Sequence, residues 1–409
     1  VSPTIDILDA RGARHPTSLP ELLTALARAR AALTPAFAAE RLELVASVSA
    51  EILRRGVSRA SPGVTHFAFW TRRGALKALA ESHIGQLPAG CVARPRGLVF
   101  HLPPQNVETV FLYSWVISYL CGNANLVRLP TSLSADMAGL LQLFQSTMVS
   151  RGETGQIFVA YPAGEAANRA LSAACDARVV WGGDAKVAAF APLPLRAGGK
   201  SLWFGDRRSL AMVEAGALGA LDDTERADLA ERLHNDIFVF DQMACSSPVR
   251  LFVVGAEDVA ASAVADLLEA LAVVAKARGS VPATGHVIRK LVSSMAMAGE
   301  GAATAVTRHS NSLTSVVTPQ VIDRPPVGGG FLEVVFVREA SAIHDSLREN
   351  IQTIVHFGFA AERLDAFVRG LPPLCVTRLA PVGQALDFDY VWDGYDLIAE
   401  LTQLLRIRR

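Results

Sequence analysis

Gly97-Leu98-Val99-Phe100-His101-Leu102-Pro103-Pro104-Gln105-Asn106 is a short apolar run that enters two prolines and then a polar pair. A run of this length, closed by turn residues, predicts a buried strand. A helix is predicted from about Asn106 to Leu120, stopped by Gly122-Asn123, and the next strand is Asn125 to Leu129. The same rhythm continues through a helix over Ala135 to Val149, a strand at Ile157 to Ala160, a helix over Glu165 to Cys175, and a strand from Arg178 to Trp181 that ends in Gly182-Gly183. Alternation of this kind predicts an α/β fold, a parallel sheet covered by helices on both faces. Such sheets bind nucleotides at the carboxyl ends of their strands.

On the amino-terminal side, the first ninety residues read as helices. Leu19-Pro20 opens one of them, and a second runs from about Ala38 to Arg55 with Leu42, Leu44, Val45, Val48, Ile52 and Leu53 as its apolar set. On the other side the mixed character returns. Arg250 to Val254 and Leu332 to Val337 read as strands, Val259 to Ala277 as a long apolar helix, and Gly328-Gly329-Gly330 as a flexible loop. The tail reads as a helix from about Tyr395 to Leu405.

The 409 residues are 51% hydrophobic and 19% charged, a globular composition too long for one small core. Lys plus Arg equals Asp plus Glu, 39 each, which argues against non-specific binding to nucleic acid or membranes. The most apolar stretch, Val107 to Leu120, is shorter than the roughly 20 residues a membrane-spanning helix needs. Glu108, Thr109, Ser114 and Ser118 also interrupt it, so a buried core helix is expected. The start of the chain shows no signal-peptide pattern. The five cysteines, Cys91, Cys121, Cys175, Cys245 and Cys375, are scattered and odd in number. They fit neither a disulfide framework nor a zinc site, and a reducing cytoplasm is the expected home.

Two stretches carry chemistry. Phe240-Asp241-Gln242-Met243-Ala244-Cys245-Ser246-Ser247-Pro248 places a cysteine in a polar turn ahead of a strand. There a thiolate can act as nucleophile, and the N–H groups of the turn can favour its ionisation or hold an oxyanion. Asn106, just past a strand, can aim its amide N–H at a substrate oxygen; it equally fits a plain helix N-cap. His101 is read as a satisfied core histidine.

With both stretches in view, the chain resembles the aldehyde dehydrogenase superfamily, and within it the luminescence-type acyl-CoA reductases (LuxC-like fatty-acid reductases). Three runs carry the resemblance: Arg96-Gly97 through Asn106 into Gly122-Asn123 and Asn125 to Pro130; Val179-Val180-Trp181-Gly182-Gly183-Asp184; and Asp241 to Pro248. It implies a Rossmann-type cofactor domain plus an α/β catalytic domain. The expected division is a helical region over 1–90 packed on the cofactor domain, an NAD(P)-binding domain over 91–209, a catalytic domain over 210–380, and a C-terminal segment over 381–409. Cys245 and Asn106 are then the catalytic residues. Gly182 and Gly183 lie beside the cofactor pyrophosphate, and Gln352 and Thr353 near the nicotinamide ribose, where the other reading is polar strand positions. Arg128 matches an adenosine-contacting lysine, or is a plain strand-end cation. With Thr131 and Ser132 following and no acidic residue to hold a ribose 2′-hydroxyl, it favours NADPH over NADH.

The implied reaction is NADPH-dependent reduction of an acyl thioester, acyl-CoA or acyl-carrier protein, to the aldehyde. Arg196, before Gly198-Gly199, aligns with the glutamate by which oxidising relatives activate water, so hydrolysis of an acyl-enzyme is expected to be slow. The superfamily also implies a homo-oligomer, dimer or tetramer. Rival readings are an NAD(P)-dependent aldehyde oxidant, a cysteine-dependent acyltransferase without redox chemistry, and a scaffold subunit with a degenerate site.

Overall fold

The computed structural model describes residues 5–55, 62–104, 109–130, 132–162 and 164–408, so Asn106 and Thr131 lie outside the described residues. The chain divides into two units, Val1–Gly205 with Phe388–Arg409, and Asp206–Asp387.

The first unit carries strands β1 (Ile5–Leu8), β2 (Arg14–Thr17), β3 (Cys91–Pro95), β4 (Leu98–Leu102), β5 (Ala124–Arg128), β6 (Gln156–Ala160), β7 (Ala177–Trp181) and β8 (Lys200–Phe204). Its helices are α1 (Leu19–Ala31), α2 (Ala39–Arg55), α3 (Pro62–Trp70), α4 (Arg73–Gln86), α5 (Val110–Leu120), α6 (Ala135–Ser150), α7 (Glu165–Ala174) and α8 (Asp184–Phe190). Among the described residues the sheet runs β2-β1-β6-β5-β4-β7-β8, parallel from β6 to β8. Every residue of β4 and β7 is buried, the pattern of a parallel strand covered on both faces.

Two details show why the sequence breaks where it does. Gly97 has φ +136°, and a Cβ there would lie 2.2 Å from the Asp176 carboxylate. That carboxylate accepts from the Leu98 N–H at 2.9 Å and pairs with Arg30 at 2.6 Å, so glycine is what lets β4 start beside it. Asn123 then ties the sheet together: its Oδ1 accepts from the Gly97 N–H at 2.9 Å, and its Nδ2 donates to Leu401 O at 2.8 Å.

Helix α5 is buried on all sides, as its composition predicts. Its polar interruptions are paired rather than exposed. Ser118 donates to Asn125 Oδ1 at 2.6 Å, and Trp181 donates to Ser114 Oγ at 3.2 Å. His101, fully buried, sits 2.9 Å from the same Asn125 oxygen, and burial pushes its pKa down to about 4, so it stays neutral. It is the core histidine expected. Among the described residues no helix is long and apolar enough to cross a membrane.

The second unit carries β9 (Arg208–Glu214), β10 (Pro248–Val254), β11 (Ala305–Arg308), β12 (Thr314–Val317), β13 (Phe331–Val337), β14 (Ile351–Phe357) and β15 (Arg378–Pro381), with helices α9 (Ala215–Gly219), α10 (Asp223–Phe238), α11 (Glu257–Ala277), α12 (Thr284–Gly299) and α13 (Ala361–Arg369). Its sheet runs β11-β12-β13-β10-β9-β14-β15 among the described residues, parallel except for the β11 edge. Alternation along β9 and β10 divides the core. Ala211, Val213, Leu251 and Val253 pack with α10 and α11, while Leu210, Met212, Phe252 and Val254 form a second cluster with Ile343 and Leu347.

Two expectations need correction. The amino terminus is not helical throughout, because β1 and β2 form a hairpin whose first strand pairs antiparallel with β6. The region before residue 90 thus adds two strands to the edge of the first unit's sheet. The tail holds strands β16 (Val391–Trp392) and β17 (Tyr395–Asp396), one turn of helix α14 (Leu397–Glu400) and strand β18 (Thr402–Arg406) in place of a long helix. Strand β18 pairs antiparallel with β3, and Arg96 donates to Glu400 O and Thr402 O, both at 2.5 Å. A cross-strand partner 300 residues away overrides the local helical pattern. The tail from Phe388 therefore groups with the first unit, which otherwise runs to Gly205.

Asp236 on α10 is fully buried and accepts the N–H groups of Gly383 and Ala385 at 2.7 and 2.8 Å. Burial outweighs those donors and raises its pKa to about 6. The folded chain then binds more protons than the unfolded chain between about pH 4 and 6, so this group's contribution to stability falls as pH rises through that window. Urea titrations at pH 4.5 and 6.5 should show a component of roughly 2 kcal/mol with that sign, and Asp236→Asn should remove it.

Candidate active site

Cys245 lies between the end of α10 and the start of β10, in a turn whose shape is set by two non-glycine residues in the left-handed region, Asp241 (φ 51°) and Gln242 (φ 61°). Such residues need outside support, and the buried Gln242 side chain supplies it. Its Nε2 donates to Pro248 O at 2.8 Å and Phe331 O at 3.0 Å, while its Oε1 accepts the N–H groups of Gly330 and Phe331, each at 3.0 Å. One amide thus uses both donors and both lone pairs to close the turn against the start of β13.

The triple glycine meets the turn from the other side. All three residues have φ between 62° and 77°. The Gly329 N–H donates to Asp241 O at 2.8 Å, and the buried Lys290 ammonium on α12 donates to Asn311 O, Ser312 O and Gly329 O at 2.7, 2.9 and 2.6 Å. The loop expected to be flexible is therefore held on both sides of its peptides. Positive φ is what its glycines provide.

Cys245 is half-buried, and no disulfide joins any of the five cysteines. Burial raises the thiol pKa values of Cys121, Cys175 and Cys375 and makes them poor nucleophiles. Ser209, at the start of β9, donates to Cys245 O at 2.7 Å and accepts the Thr353 N–H at 3.2 Å. The structure thereby brings Cys245 and Thr353 to one place. Ser247 Oγ, Gln352 Oε1 and Thr353 Oγ1 are buried without a hydrogen-bond partner. An unsatisfied buried polar atom costs about 1–3 kcal/mol; of these three, Ser247 lies in the Cys245 turn, and Gln352 and Thr353 lie at the start of β14. Ser209, Ser247 and Lys290 were not singled out from sequence, since serines and lysines carry no spacing signal of their own.

A groove of about 800 Å³ opens in the same unit, with Leu210, Phe252 and Val335 on its wall and Arg289 and Arg348 among its cations. Phe331, which Gln242 clamps, and Val249, next to Pro248, line it as well.

In the first unit, the predicted cofactor residues gather at the carboxyl ends of the parallel strands. Arg128 ends β5, stacks over the Tyr161 ring at 4.5 Å and donates to Tyr161 O at 3.3 Å. Gly182 and Gly183 follow β7, and Ser132 is exposed in a bend after β5. Lys186 on α8, missed in the sequence, donates to Pro103 O at 2.5 Å and Leu102 O at 3.3 Å at the end of β4. Arg196 belongs elsewhere. It pairs with Asp176 at 3.3 Å, at the amino ends of β4 and β7, and so stands neither for a water-activating group nor for a phosphate ligand.

Gln242→Ala would leave two carbonyls and two N–H groups buried without partners. At about 1 kcal/mol each, the loss should be roughly 4 kcal/mol, read as a lower urea midpoint. Faster alkylation of Cys245 by iodoacetamide should accompany it as the turn loosens.

Comparison with known proteins agrees with this architecture. No curated protein matches the chain in sequence. Similar solved structures include an oxidoreductase from Marinobacter aquaeolei (TM-score 0.68, 15% identity, covering 99% of this chain and 95% of that one). An NAD-dependent aldehyde dehydrogenase from Sinorhizobium meliloti is similar at TM-score 0.67 and 14% identity, covering 98% and 90%. An NADP-dependent glyceraldehyde-3-phosphate dehydrogenase from Bacillus halodurans C-125, complexed with NADP, is similar at 0.63 and 15%, covering 99% and 96%. At such identities the likeness establishes the aldehyde-dehydrogenase-like fold. The acyl-CoA reductase (LuxC) family matches residues 68–407, a span that takes in both units, the Cys245 turn and the Arg128 strand end. With that fold and that span, the chain belongs to the LuxC acyl-CoA reductase family and is an oxidoreductase of the aldehyde dehydrogenase type.

Proposed function

We propose that the protein reduces an acyl thioester, carried on coenzyme A or on an acyl-carrier protein, to the aldehyde with NADPH, through a thioester on Cys245. The observation that carries this reading is the Cys245 turn itself. It is a half-buried thiol in a doubly clamped turn that also holds the buried, unpartnered Ser247 hydroxyl.

In this reading the Cys245 thiolate attacks the thioester carbonyl. The bond from that carbon to the carrier sulfur breaks, and the carrier leaves as its thiol after taking a proton. Backbone N–H groups of the turn, with the Asn106 amide, hold the oxyanion; one such donor is worth about 3 kcal/mol. The cofactor, when bound, supplies a hydride to the acyl carbon. The resulting thiohemiacetal on Cys245 collapses, releasing the aldehyde and restoring the thiolate. A covalent intermediate divides one difficult substitution into two easier steps.

The residues fit a nicotinamide dinucleotide. Gln352 Oε1 and Thr353 Oγ1 are unspent acceptors of the kind ribose hydroxyls satisfy. Arg128 pairs with no carboxylate among the described residues, which leaves its charge for a phosphate and supports NADPH over NADH. Thr131 and Ser132 follow it in the chain. Since Arg196 is engaged with Asp176, the preference for reduction over hydrolysis rests on family membership and not on that residue.

The test is oxidation of NADPH with a panel of acyl-CoAs, with NADH in parallel. Acyl-dependent oxidation should occur in the native enzyme and fall at least about 1,000-fold in Cys245→Ala, as for loss of an essential nucleophile. A Cys245 acyl adduct seen by intact mass, with no nucleotide oxidation, would overturn the reductase in favour of an acyltransferase.

A further inference from the structure

We infer that Lys186 binds the pyrophosphate of the dinucleotide cofactor, an inference that rests on the nicotinamide-dependent reading above. Three observations lead to it. The first is position. The sheet order β6-β5-β4-β7 means that the chain leaves β4 toward β5 and β6 on one side and returns to β7 on the other. The crevice where the order reverses lies outside the carboxyl ends of β4 and β7. Lys186 reaches across it from α8, which follows β7, to the carbonyls of Leu102 and Pro103 at the end of β4.

The second is the reason Gly182 is glycine. It has φ +145°, and a Cβ there would lie 2.7 Å from Lys186 Cδ. The lysine stem occupies the space above the end of β7, and glycine leaves that space open. A glycine read from sequence only as flanking the pyrophosphate thus makes room for a cation.

The third is charge. An ammonium has three donors, and the contacts to Leu102 and Pro103 use two. Among the described residues no carboxylate pairs with Lys186 or with Arg128. Burial, and then the charge of Arg128, push the Lys186 pKa down to about 8. Holding the two strand-end carbonyls requires only a neutral N–H donor. A second cation kept near Arg128 is unfavourable until an anion arrives between them.

Cofactor binding separates this role from a purely structural one. Dissociation constants for NADPH and for NADH would be measured by fluorescence titration of the native enzyme, Lys186→Gln and Lys186→Arg, with thermal unfolding of each. Lys186→Gln keeps N–H donors for the carbonyls and removes the charge. It should raise both constants by the same factor, about 10- to 100-fold as for a lost charge-assisted hydrogen bond, while Lys186→Arg should recover most of the affinity. Lys186→Met serves as a second uncharged variant if the glutamine protein does not fold. Unchanged affinity in the uncharged variants would overturn the inference and leave the proposed function standing. Weakened NADPH with unchanged NADH would also overturn it, because the contact would then be to the 2′-phosphate. Native enzyme that binds neither dinucleotide would overturn the nicotinamide reading itself, and this assignment with it.

Discussion

A parallel strand buried on both faces can present chemistry only at its ends. In the first unit β4 and β7 have no exposed face, and in the second the central strands β9, β10 and β14 are packed between two hydrophobic clusters. Every candidate functional group that the structure describes obeys this constraint. Arg128, Gly182, Gly183 and Lys186 stand at carboxyl ends. Ser209, Gln352 and Thr353, and the Cys245 turn before Pro248, stand at amino ends. The two units use opposite ends of their sheets, and the chemistry differs accordingly. The described carboxyl ends in the first unit carry Arg128, Lys186 and two glycines, and the amino ends in the second carry Ser209, Gln352, Thr353 and the cysteine turn.

Precision at the Cys245 turn comes from side chains saturating backbone groups. Gln242 makes four contacts to main-chain atoms and Lys290 three, all to carbonyls. These bonds hold residues in left-handed conformations that would otherwise relax. The buried Arg250–Glu333 pair does similar work between β10 and β13: at 2.7 Å from Arg250, the carboxylate also accepts from Thr318 Oγ1 and the Ile322 N–H. In such surroundings a buried charge is tolerable because its partners are complete.

Much of the candidate site could be read along the chain. Cys245 stood out because a cysteine among polar turn residues ahead of an apolar strand is unlike a packed core cysteine, and the three cysteines with raised pKa values show the contrast. Arg128 and Gly182 were named through the family resemblance, and the structure places both at the carboxyl ends of their strands. Lys186 and Lys290 could not be read along the chain, since their roles depend on carbonyls that other strands and loops deliver. Arg196 was misplaced because a Gly-Gly pair is too common to fix an alignment, and only its contact with Asp176 shows which end of the sheet it serves.

The alternation of apolar runs and helical stretches by itself determined that this is an α/β protein with parallel sheets, that the apolar stretch ending at Leu120 is a core helix, and that His101 is an interior residue, because each of these follows from local pattern. Only the tertiary structure decided what the two termini do. Ile5–Leu8 joins β6, and Thr402–Arg406 joins β3, through backbone hydrogen bonds to partners far away in the chain. Strand pairing of that kind leaves no periodic mark that outweighs a local helical pattern. The same holds for the clamp on Cys245: the sequence names Gln242 and Gly330, but their hydrogen bond exists only because β13 is laid beside β10.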